Sequence, residues 1–217
     1  MKKSGFAISI LFVLLTGCAG ISVHDDLKVP PGRIEGNQFT GIRYPFRVSV
    51  PPQWKMSTEF PEFMKELGYD RPTPYDNEVT ELYIFNPSTK SSIQIDFTPA
   101  NASAKFSQES IEALTATATG SLMEELEKDY GREVKPEISS TTPFKLKGVS
   151  FAAKRYALYT VDGVKREQGW IYGFGEPYQI FILYMIVGRE GGTDAQDIGK
   201  ILDSFEMISG RQGSQTR

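Results

Sequence analysis

Two hydrophobic periods alternate along the chain. In GIRYPFRVSVP (41–51), Ile42, Tyr44, Phe46, Val48 and Val50 fall on one side and Arg43, Arg47 and Ser49 on the other. A period of two sends successive side chains to opposite faces of a strand, so this run is expected to be a half-buried strand. Pro51-Pro52-Gln53-Trp54 ends it, because proline has no amide hydrogen for a ladder. VTELYIF (79–85) and SIQIDF (92–97) read as a hairpin turning at Asn86-Pro87-Ser88. The period then changes. Ile111, Leu114, Ala118, Leu122, Leu126 and Tyr130 are spaced three or four apart, between Ser107 as N-cap and Gly131 past the end. That spacing predicts a helix over 107–130 with one apolar face. Its middle, Thr115 to Gly120, consists of poor helix formers that allow either close packing on a sheet or a kink.

Period two returns in FKLKGVSFAAKRYALYTV (144–161), VKREQGWIYGF (164–174) and YQIFILYMIV (178–187). Asp162-Gly163 supplies the positive φ angles of a type I′ hairpin turn, and Glu176-Pro177 marks the next reversal. Gly173-Phe174-Gly175 reads as a turn and not as a phosphate loop, since no helix follows it. Tyr178 to Val187 is apolar on both faces, so both are expected to be covered. A last helix starts at the capping-box pattern Thr193-Asp194-Ala195-Gln196 and directs Ile198, Ile201, Leu202 and Phe205 at the core. The two helices are assigned to opposite faces of the sheet. The class is α+β, mostly antiparallel sheet with helices on both faces.

One long connection interrupts this order. Lys55 to Glu78 has room for a short helix near 61–67 and carries Phe60, Phe63, Tyr69 and Tyr75. Long irregular segments often carry function, and aromatic rings are enriched in binding hot spots, so these four are candidate partner-binding residues. The same rings would also serve to cap the sheet edge. Outside the domain, assigned to 38–208, residues 18–37 contain a Pro30-Pro31-Gly32 break and no period, and read as a flexible tether. About twenty such residues span roughly 25 Å. Residues 209–217 form a polar tail expected to be disordered.

The element order as a whole resembles a known family. A first hairpin closed by P-x-W (Pro52, Trp54), a second hairpin, a helix, a three-stranded meander and a final helix ending Ile201-Leu202-Asp203-Ser204-Phe205 are similar to the PsbP-like α/β/α sandwich, which includes DcrB-type bacterial lipoproteins. Gln53 departs from the glycine many relatives carry there. The resemblance implies an accessory or binding role, because most members of that family act so.

The N-terminus adds an address. Lys2 and Lys3 precede an uncharged run from Gly5 to Leu15, too short to span a bilayer, which needs about 20 apolar residues, and of signal-peptide length. It closes on Leu15-Thr16-Gly17-Cys18, with the only cysteine of the chain. That stretch resembles the lipobox of bacterial lipoproteins. The resemblance implies removal of residues 1–17, lipid attachment to Cys18, and anchoring by two or three acyl chains, where one chain alone binds marginally. Ala19, in place of the aspartate that retains such proteins at the inner membrane, points to the outer membrane in a two-membrane cell.

The formal charge is −3 and becomes more negative once Lys2 and Lys3 leave with the signal, so no basic surface suggests nucleic acid. At 40% hydrophobic and 12% aromatic residues, the chain can build a full core without a disulfide. The only histidine, His24, lies in the tether, which leaves no parts for a Ser-His-Asp triad or a usual zinc site in the domain. The carboxylates Glu124, Glu125, Glu127 and Asp129 read as a solvated helix face. No catalytic residue, metal or cofactor is expected. The function that fits is a lipid-anchored envelope accessory or binding protein with an envelope protein as partner; the alternative is a carrier of a small apolar ligand between sheet and helix.

Overall fold

A computed structural model describes residues 28–62, 64, 79–101, 103–188 and 192–208. Twelve strands and two helices follow one another along them. Strands β1 (Gly32–Glu35), β2 (Gln38–Gly41), β3 (Phe46–Ser49) and β12 (Glu206–Met207) form a small sheet in that order. The larger sheet takes β4 (Lys55–Ser57), β5 (Val79–Phe85), β6 (Ser92–Pro99), β11 (Tyr178–Val187), β10 (Val164–Gly175), β9 (Phe151–Val161) and β7 (Glu137–Ile138) in that order, and β8 (Thr142–Pro143) also pairs with β9. The pairings within the larger sheet are antiparallel. Helix α1 (Gln108–Tyr130) packs on β9 and β10, and α2 (Asp194–Ser204) on β3 and β11.

Alternation along β10 and β11 divides the core. Ile171, Ile180, Ile182, Tyr184 and Ile186 join Phe39, Phe46 and Val48 of the small sheet and Ile198, Ile201 and Leu202 of α2 in one cluster. Trp170, Tyr172 and Phe181, one residue out of step, join Ile111, Leu122 and Leu126 of α1 in another. Rings connect the two sheets: Phe46 lies 4.8 Å from Phe97 and 5.6 Å from Phe205, and Tyr44 stacks on Phe97 at 4.9 Å. Each such ring buries a large apolar area, and its contact geometry adds further attraction.

Buried acids seat α2. Asp194 accepts from Asn86 Nδ2 at 3.0 Å and from Ser91 Oγ at 2.6 Å, which ties the helix start to the β5–β6 turn. Asp197 Oδ2 accepts from Gln53 Nε2 and, at 3.3 Å, from Trp54 Nε1, while Lys200 Nζ lies 3.1 Å from Oδ1. Burial works against ionisation of Asp197. Hydrogen bonds from Lys200, Trp54 and Gln53 outweigh it and hold the carboxyl below its usual range. The Pro52–Trp54 motif therefore acts as a clamp on α2.

Several sequence expectations change. The strand expected over 41–51 begins only at Phe46, because the chain reverses between β2 and β3; a Cβ on Gly41 would stand 2.1 Å from the Tyr44 carbonyl oxygen, and Ile42 is exposed. The tether expected to run to residue 37 ends earlier, since Gly32–Glu35 pairs with β2. Residues 144–150 are not strand; Gly148, at φ 76°, breaks the run and β9 starts at Phe151. Gly173-Phe174-Gly175 lies within β10, not in a turn, and the reversal falls at Glu176-Pro177. The Thr193 hydroxyl donates to Asp197 Oδ2 at 3.4 Å and accepts from no amide of the first turn, so the capping box is not formed. The turn at Asp162 and Gly163 does carry φ of 52° and 76°, as a type I′ turn needs.

Candidate functional site

The α1-side row of the larger sheet is only partly covered. Cross-strand register lines up Tyr83, Gln94 and Leu183 on β5, β6 and β11, then Phe85, Ser92, Met185 and Gln168, then Val187 and Arg166. Helix α1 lies over β9 and β10, so Leu183, Met185 and Val187 are half-buried, whereas Ile182, Tyr184 and Ile186 on the other side are buried. The expectation that both faces of β11 are closed therefore fails at this end. What remains is a cleft of about 60 Å³, walled by Pro61 and Met64 on one side and Glu125 of α1 on the other.

Its rim is polar and held in place. Gln168 Oε1 accepts from the Tyr159 hydroxyl at 2.9 Å. Gln94 Nε2 donates to Thr80 Oγ1 at 3.1 Å and to Asp96 Oδ2 at 2.9 Å. Asp96 is fully buried, and desolvation pushes its carboxyl from 3.8 to about 6 despite hydrogen bonds from Thr80 and Gln94. Arg166 Nη1 donates to the Tyr130 hydroxyl at 3.2 Å. Burial pushes Glu125 up to about 7, with Asp129 reinforcing the shift and Lys128 opposing it. On the opposite side of the sheet, Tyr184 donates to Glu167 Oε1 at 2.8 Å and Lys154 Nζ lies 4.8 Å over the Tyr184 ring. Burial lowers the Lys154 pKa against the attraction of Glu167.

Phe60 is half-buried and meets Tyr83 edge-on, with ring centroids 5.7 Å apart, next to the cleft. Glu62 and Met64 are helical. Cys18, Phe63, Tyr69 and Tyr75 lie outside the described residues. Sequence reasoning missed Gln94, Arg166 and Gln168, and it took Glu125 for solvated surface. No local signal marked the glutamines, since Gln94 alternates with Ile93 and Ile95 beside Asp96, and Gln168 follows the charged run Lys165-Arg166-Glu167. None existed for Glu125, whose burial depends on what lies opposite. Among the described residues no helix is long and apolar enough to cross a membrane, and no group of three or more His, Cys, Asp or Glu is placed to hold a metal ion.

No family model matches the chain, and no curated protein gives a significant sequence match. Among solved structures, the chain is similar to cyanobacterial PsbP (CyanoP) from Synechocystis sp. PCC 6803, at 8% identity and a TM-score of 0.49 over 89% of this chain and 99% of that one. It is similar to a protein from Bacteroides thetaiotaomicron VPI-5482, at 12% identity and a TM-score of 0.47, covering 81% of this chain and 49% of that one. It is also similar to LpqN of Mycobacterium tuberculosis, a protein involved in cell envelope biogenesis, at 12% identity and a TM-score of 0.47 over 75% and 82% of the two chains. Likenesses at this distance assign neither an activity nor a partner.

Proposed function

We propose that this chain is a lipid-anchored accessory protein of the cell envelope that binds another polypeptide, has no catalytic activity of its own, and takes its partner at the cleft beside Phe60. The architecture we read for it is the α/β/α sandwich, with α1 and α2 on opposite faces of the larger sheet. Cys18 would carry the lipid, and Ala19 favours the outer membrane where a cell has two.

The cleft carries the binding reading. Small-molecule sites enclose roughly 300–1,000 Å³, several-fold more than the 60 Å³ present here. A cavity of this size suits one apolar side chain of a partner, with a polar rim around it, better than the free ligand of a carrier. Native mass spectrometry of the purified protein tests the carrier reading, which predicts a retained apolar molecule. Photocrosslinking in living cells tests the binding reading. A benzophenone amino acid at Phe60 or Met64 of the full-length protein should give an adduct of one common mass, and at the exposed Val164 none. Adducts from neither cleft position, or the same adduct from Val164, would overturn it.

A further inference from the structure

We infer that the partner segment presents a carboxylate next to an apolar side chain, the carboxylate engaging the guanidinium of Arg166 while the apolar group enters the cleft. This rests on the cleft being the partner site. Arg166 stands opposite Val187 in the β10–β11 register and lines the cleft. Its Nη1 is held by the Tyr130 hydroxyl at 3.2 Å, and the guanidinium carbon lies 5.7 Å from the centre of that ring. The group is thus oriented before any partner arrives. Its Nε, however, is buried and donates to nothing among the described residues. Buried donors are nearly always satisfied, and one left over beside an open apolar cleft identifies the acceptor that is missing.

The chemistry of that acceptor follows from the donor. A guanidinium edge matches the two oxygens of a carboxylate, and such charge-assisted bonds are the strong ones. Lys90, from the β5–β6 turn, lines the same cleft. Glu125 is in the same lining, and its carboxyl, pushed up to about 7, repels a partner carboxylate less in mildly acidic solution. The apolar component comes from Leu183, Met185 and Val187 on the floor. In keeping with the proposed polypeptide partner, the carboxylate is assigned to an acidic residue beside a leucine-sized one.

Methionine-methyl NMR of the full-length protein in detergent reads this directly, because Met64 and Met185 line the cleft. The probes are Ac-Ser-Leu-Glu-Ser-NH2, its glutamine counterpart and octanoate, at pH 6 and low salt. The glutamate peptide should shift both methyl resonances and bind about tenfold more tightly than the glutamine peptide, the gain typical of one hydrogen bond to a charged group. Arg166→Gln should bring the two within about twofold while leaving the unliganded methionine spectrum intact. If that variant loses its folded spectrum, Arg166→Lys, which keeps the charge and removes Nε, should lose most of the preference. Equal affinities, with both peptides shifting the methyls, would overturn the carboxylate and leave the cleft standing. No shift with either peptide would overturn the cleft and the proposed function with it. Tighter binding of octanoate than of the glutamate peptide would overturn the polypeptide assignment in favour of a carrier.

Discussion

Gly169 faces Tyr184 across the β10–β11 register, and a Cβ added there would stand 2.0 Å from the ring. The ring cannot move aside cheaply, because Tyr184 is buried and its hydroxyl is committed to Glu167. Gly169→Ala should therefore destabilise by about 1–3 kcal/mol, the range for overpacked cores, seen as a lowered urea midpoint at unchanged slope. Asp96 makes the opposite case of a side chain the fold bears at some loss. Its carboxyl is raised from 3.8 to about 6, so the folded state binds the proton more tightly than the unfolded one. That stabilisation is complete below about pH 4 and is lost as pH rises through about 6. A rise of about two units corresponds to about 3 kcal/mol. Urea titrations from pH 4 to 8 should show the parent losing that much relative to Asp96→Asn; parallel curves would mean that Asp96 is solvated.

At the level of elements, β11 is the strand on which both clusters meet, but its two sides are not equivalent. Ile182 is fully buried in the cluster shared with α2, whereas Leu183 is half-buried on the cleft floor. Ile182→Asp should prevent folding, since an unpaired buried charge costs several kcal/mol against a total of roughly 5–15 kcal/mol. Leu183→Asp should leave a folded protein, with circular dichroism melts telling the two apart. Equal loss in both variants would mean that the cleft is closed in solution. Helix α1 shows how a weak local preference is overridden. Thr115 is buried, its hydroxyl donates back to the Ile111 carbonyl at 2.7 Å, and the Thr115 carbonyl accepts from Trp170 Nε1 at 2.8 Å. The helix continues through this stretch because the sheet holds it, and Gly120, on the exposed side, contributes no close contact.

For the molecule as a whole, Cys18→Ser should abolish incorporation of radioactive fatty acid and leave an unprocessed precursor; equal label in the variant would remove the anchor from the proposal. Ala19→Asp should move the protein toward the inner membrane in a density gradient, if the cell has two membranes. Much of the fold was legible locally. Hairpins 79–85/92–97 and 164–174/178–187, the helix from Gln108, and the turn at Asp162-Gly163 follow from period, capping and φ preference, which act within a few residues. The interrupted strands at 42–45 and 144–150 were not legible, because an apolar alternation records which side chains are buried and not whether the backbone pairs. The cleft was further out of reach. Leu183 and Ile182 look alike in sequence, and only the position of α1 over β9 and β10 decides which of them is closed off. By itself the sequence determined the second hairpin, the β10–β11 hairpin, the two helices and the turn at Asp162-Gly163, since their causes are local. Only the tertiary structure decided that Arg166, Gln94, Gln168 and Glu125 share one half-covered place, because residues 94, 125 and 166 are brought together by strand register and helix docking, which no local pattern encodes.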